Sequence, residues 1–67
     1  MPDSTSKIER LPAVVARTGL SRSSVYAYMA NGAFPRPIKL SARSVGFLSH
    51  EVDAWIAERA AFRDANL

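Results

Sequence analysis

The sequence contains no cysteine and only one histidine in 67 residues. Disulfide staples and thiolate metal sites are thereby excluded, and a lone histidine cannot supply a zinc ligand set, so no metal and no cofactor are expected. No base, nucleophile or orienting carboxylate stands beside His50 in a recognisable motif, which argues against an enzyme and against a small-molecule ligand. No apolar run approaches the roughly 18 residues of a membrane span, and Met1-Pro2-Asp3-Ser4-Thr5-Ser6 lacks the apolar core of a secretory signal. A cytoplasmic protein without a membrane partner is the expectation. One further absence is local: no Asp or Glu occurs between Glu9 and Glu51, whereas Arg10, Arg17, Arg22, Arg36, Lys39 and Arg43 all fall inside that interval. The net charge of +3 therefore understates a basic middle that attracts polyanions.

What is present suffices for one small domain. Apolar residues at 48% can build a single core, and charged residues at 22% are ordinary for a soluble chain. Leu11, Val14, Val15 and Thr18 recur at helical spacing behind Pro12, which predicts a first helix over Pro12 to Thr18. Val25, Tyr28 and Met29 predict a second over Arg22 to Ala30, closed by Asn31-Gly32. Phe34-Pro35-Arg36-Pro37 cannot continue a helix and reads as a linker into strand. Ile38-Lys39-Leu40 and Val45-Gly46-Phe47-Leu48 flank Ser41-Ala42-Arg43-Ser44 as a hairpin, anchored on the helices through Phe47 and Leu48. Ser49 caps a third helix, whose Val52, Trp55, Ile56, Arg59 and Phe62 fall along one inward stripe. The expected fold is α+β and mostly helical, a winged helix-turn-helix of order ααββα with three helices and a two-stranded hairpin wing. A flexible arm over 1–8 would precede a domain over 9–63 and a tail over 64–67.

The segment Thr18-Gly19-Leu20-Ser21-Arg22-Ser23-Ser24-Val25-Tyr26 is the most informative. Gly19 can take the positive φ that ends one helix, Leu20 can tuck under the corner, and Ser21 can cap the next helix. At about 100° per residue, Val25, Tyr28 and Met29 point inward and Ser23, Ala27 and Ala30 outward, with Ser24 and Tyr26 at the flanks. So slim an outer face suits a major groove. Arg22 at the helix start can reach a phosphate or a guanine edge. Ser23, Ser24 and Tyr26 can bond the backbone or bases, although Ser23 and Ser24 also suit simple capping and Tyr26 rim packing. Arg43 at the hairpin tip can follow the backbone or enter a minor groove, with Lys39 and Arg36 as phosphate clamps. Double-stranded DNA is thus the expected partner, and a homodimer or cooperative assembly on repeated half-sites would raise the affinity of so small a domain. The competing readings are an architectural DNA-binding role and a protein-interaction module using the apolar side of the third helix and the tail from Arg59 to Leu67. RNA is disfavoured because no aromatic stacking platform is visible.

The chain resembles the AlpA family of small phage and prophage transcriptional regulators, related to excisionases and to MerR-type winged helices. The carrying segments are Leu11-Pro12, the Thr18–Tyr26 corner, Gly32-Ala33-Phe34-Pro35-Arg36-Pro37-Ile38-Lys39-Leu40, Arg43-Ser44-Val45-Gly46-Phe47 and Glu51-Val52-Asp53-Ala54-Trp55-Ile56. The resemblance implies a DNA-binding winged helix-turn-helix that controls mobile-element transcription or assists excision beside an attachment site. The chain departs from the family's usual pattern at Ala27, at Ser41-Ala42 and at Phe47, where members often carry a larger polar residue, a glycine-rich turn and tryptophan.

Overall fold

The computed structural model describes residues 7–65, so residues 1–6 of the arm expected over 1–8 and residues 66–67 of the expected tail lie outside the described residues. The elements in chain order are β1 (Ile8–Glu9), α1 (Leu11–Thr18), α2 (Arg22–Ala30), β2 (Ile38–Lys39), β3 (Val45–Leu48) and α3 (Ser49–Ala65). The class is α+β and mostly helical, but the order is βααββα rather than ααββα. The hairpin is likewise part of a three-stranded antiparallel sheet of order β1-β3-β2. Ile8, placed in the arm by the sequence reading, instead pairs with Leu48, and Glu9 with Phe47. A two-residue strand has no room for the alternation that marks a strand in sequence, and its partner lies some 40 residues downstream.

Local chemistry closes the two-helix corner. Gly19, at φ 75°, ends α1 with its amide donating to Val15 O at 2.9 Å. The Thr18 hydroxyl donates to Val14 O at 2.8 Å and accepts from the Leu20 amide at 3.2 Å, which stiffens the turn. Ser21 then caps α2, its Oγ accepting from the Ser24 amide at 3.1 Å. At the far end the left-handed residue is Gly32, at φ 73°; its amide donates to Met29 O and that of Ala33 to Tyr28 O, at 3.1 and 2.7 Å. This pair of bonds satisfies carbonyls that the helix leaves open.

Val14, Val25, Phe34, Phe47 and Val52 form the buried core, with Leu11, Val15, Leu20, Tyr28, Met29, Trp55 and Ile56 packed around it. Phe34 belongs to this core and not merely to a linker. Its ring meets Phe47 and Trp55 edge-on at 5.8 and 4.9 Å, an arrangement the aromatic quadrupoles favour. Trp55 satisfies its indole N–H on Ala33 O at 2.7 Å, which ties α3 to the segment leaving α2. The inward stripe expected on α3 stops after Ile56. Arg59 is exposed and Phe62 is 63% exposed, because the helix runs on to Ala65 past the last element that could cover it. There the Arg59 guanidinium sits 5.4 Å from the Trp55 ring centre and 5.8 Å from that of Phe62.

Alternation along the sheet puts Glu9, Phe47, Val45 and Lys39 on one face, and buried Phe47 shows that this face turns to the helices. Gly46 lies on the other face, on the central strand. A Cβ there would run into Ile8 Cγ2 and come within 3.2 Å of Leu40 Cδ1 and 3.3 Å of Glu9 O. The branched Ile8 side chain would have to shift, with the Glu9 carbonyl already close on the same strand, so Gly46→Ala should destabilise by about 1–3 kcal/mol. Chemical denaturation should show this as a lowered midpoint at unchanged slope.

Candidate nucleic-acid interface

The outer side of α2 is open along its length. Arg22, Ser23, Ala27 and Ala30 are exposed, Tyr26 is 54% exposed, and Val25, Tyr28 and Met29 face the core as the helical spacing predicts. Ser24 is half-buried and belongs partly to the cap. Besides its amide bond to Ser21, its Oγ accepts from the Ser21 hydroxyl at 3.0 Å.

The hairpin presents the second set of cations. Lys39 is exposed and shares the helix-facing side of the sheet with Val45, its partner on β3. Arg43 is exposed at the tip, where backbone bonds hold the turn. Leu40 and Ser41 amides donate to Ser44 O at 2.8 and 3.2 Å, and the Arg43 amide donates to Ser41 Oγ at 3.4 Å. Arg36 lies apart from these. It lines a groove of about 530 Å³ between the Gly32–Ile38 segment and α3, together with Trp55 and the carboxylates Glu51 and Glu58. Among the described residues, Arg22, Arg36, Lys39 and Arg43 enter no ion pair; the bridges are Arg17 with Glu9 and Asp53, and Arg63 with Asp64.

Arg17 therefore leaves the basic set to which its place in the sequence assigns it. Its Nη1 donates to Asp53 Oδ1 at 2.7 Å, its Nε to Glu9 Oε1 at 3.2 Å and its Nη2 to Ser49 O at 3.4 Å. The hydrogen bond to Asp53 raises its pKa above the ordinary value; burial opposes this, and the Glu9 and Asp53 charges and the Glu9 hydrogen bond add to the rise. The guanidinium is thus charged at every pH the fold meets. No local signal could reveal the role, since its partners lie 8 and 36 residues away in sequence. Among the described residues, no cluster of three or more His, Asp or Glu side chains could hold a metal ion, and no helix is long and apolar enough to cross a membrane.

The exposed cations without an ion pair among the described residues thus include Arg22 at the start of a slim exposed helix face and Lys39 and Arg43 on the hairpin. The family model described as Prophage CP4-57 regulatory protein (AlpA) matches residues 7–60. The chain belongs to the AlpA family. The match starts at Lys7, immediately before β1, so β1 lies inside the matched span. Among relatives, ORF88 of Enterobacteria phage P4 is 41% identical over 64 residues, covering 94% of this chain and 73% of its own length. The DNA-binding transcriptional activator AlpA of Escherichia coli K12 is 34% identical over 62 residues, covering 84% of this chain and 89% of its own length.

Proposed function

We propose that this AlpA-family chain is a transcriptional regulator that binds double-stranded DNA sequence-specifically, with α2 in the major groove and the β2–β3 hairpin on the adjacent backbone or minor groove. One observation carries the reading: the cations at the start of α2 and on the hairpin are all exposed and unpaired among the described residues, while Arg17 is consumed internally. Kinship with a DNA-binding activator of Escherichia coli supports it. In this reading Arg22 reaches a guanine edge or phosphate from the helix start, and Ser23, Ser24 and Tyr26 bond phosphates or base edges beside it. Ala27 and Ala30 allow close approach. Arg43 follows the backbone or enters the minor groove, and Lys39 neutralises a phosphate from the helix-facing side of the sheet. Arg36 contributes least, because Glu51 and Glu58 share its groove and repel phosphate. One such module buries only a small interface, so binding to repeated half-sites as a homodimer or cooperative array belongs to the same proposal.

Selection of bound duplexes from fragmented genomic DNA, followed by salt titration, tests this reading. With Arg36 discounted, three phosphate-neutralising cations, Arg22, Lys39 and Arg43, give a log-affinity against log-salt slope of about −2.7, from roughly 0.9 per phosphate. Arg36→Ala should move that slope least, and Lys39→Ala should lower it by about 0.9. A flat salt response, or failure to enrich any duplex above background, would sink the proposal.

A further inference from the structure

Resting on the duplex-binding reading above, we infer that Arg17 is a positioning residue that fixes the angle between α2 and the hairpin, and with it the spacing between Arg22 and Arg43. Its three donors reach Glu9 on β1, Asp53 on α3 and the carbonyl of Ser49, where β3 passes into α3. The acceptors are themselves linked: Ser49 Oγ donates to Glu9 Oε2 at 2.8 Å and the Ser49 amide to Lys7 O at 2.7 Å. Arg17 stands in the last turn of α1, two residues before the corner that launches α2. Acting through its planar fork, one side chain thus joins the helix pair to β1, which pairs with the central strand β3, and to α3, which follows that strand. Exposed ion pairs add little to stability, so what this node chiefly supplies is geometry.

Two predictions separate this role from phosphate contact. Loss of a phosphate-contacting arginine lowers the salt slope by about 0.9 and weakens all duplexes alike. Arg17→Met should instead leave the slope within error and lower discrimination between a selected duplex and random duplex about tenfold. Glu9→Gln removes no cation and makes the protein more basic, so simple electrostatics predicts tighter binding to every duplex. On the present inference it too loses discrimination about tenfold while its affinity for random DNA rises.

The absence of cysteine permits a readout independent of DNA: spin labels on Ala27→Cys and Ala42→Cys report the distance between α2 and the hairpin tip in the free protein. Arg17→Met and Glu9→Gln should each broaden or shift that distribution, and Arg17→Lys, which keeps the charge without the fork, should fall between them and the parent. Near-UV and far-UV spectra matching the parent establish that the variants are folded. Unchanged distance distributions in both variants overturn the inference even where the parent binds DNA selectively. A parent without duplex preference overturns the functional reading itself, whatever the distances show.

Discussion

Phe47→Ala is expected to leave much of the protein unfolded at physiological temperature. Phe47 is 2% exposed on the central strand, and its backbone pairs with Glu9 on β1 while its ring meets Phe34 edge-on at 5.8 Å. Truncation removes that aromatic contact and leaves a void bounded by Val14, Val25, Phe34 and Val52. Phenylalanine-to-alanine changes in cores cost about 3–5 kcal/mol. Total stability at roughly 0.05–0.15 kcal/mol per residue amounts to about 3–10 kcal/mol for a chain of this length. The loss is therefore a large part of everything the domain has, and the melting temperature should fall by at least about 12 °C, taking roughly 4 °C per kcal/mol for a small domain. Phe47→Leu keeps most of the volume and should lose much less. A thermal melt of Phe47→Ala within a few degrees of the parent would show that the core does not centre on β3.

The elements with local chemistry were legible before the structure. The limits of α2 follow from Ser21 and Gly32, both acting within a few residues of the helix they bound. The inward and outward residues of that helix follow from a 3.6-residue period long enough to be read. What stayed hidden depends on partners distant in sequence. Ile8 and Glu9 become a strand only because β3 offers an open edge, and Gly46 is required only because Ile8 and Leu40 close over it. Phe34 sits between residues that read as linker, yet the turn after Gly32 swings it into the core. The helical stripe on α3 misleads in the opposite direction. Arg59 and Phe62 keep the spacing of Val52 and Ile56, but the core beneath them has ended. Of the site itself, Arg22, Ser23, Tyr26, Lys39 and Arg43 were legible as exposed positions. The withdrawal of Arg17 and the carboxylates beside Arg36 were not, because both are set by the approach of α3 to distant segments.

Replacing both Arg22 and Arg43 by alanine should abolish selective duplex binding while leaving the fold intact, the largest functional effect expected of any surface change. The two residues stand on different elements and share no partner among the described residues, so their losses should add. Arg22→Ala should cost about 1–3 kcal/mol and relax preference at one base position, as for an arginine bidentate to guanine. Arg43→Ala should weaken selected and random duplexes alike and reduce the salt slope by about 0.9. Stability points the same way. Arg22 is the first residue of α2, whose first turn carries no acidic side chain, so a cation stands at the positive end of the helix dipole. That placement is locally unfavourable by a few tenths of a kcal/mol, and Arg22→Ala should therefore raise the melting temperature slightly. Lower affinity together with a higher melting temperature in Arg22→Ala would mark Arg22 as serving the complex and not the free fold, since local conflicts concentrate at functional sites. Electrophoretic mobility shifts and thermal melts on the same preparations decide the matter. Unaltered duplex selectivity in the double variant would remove α2 and the hairpin from the interface together.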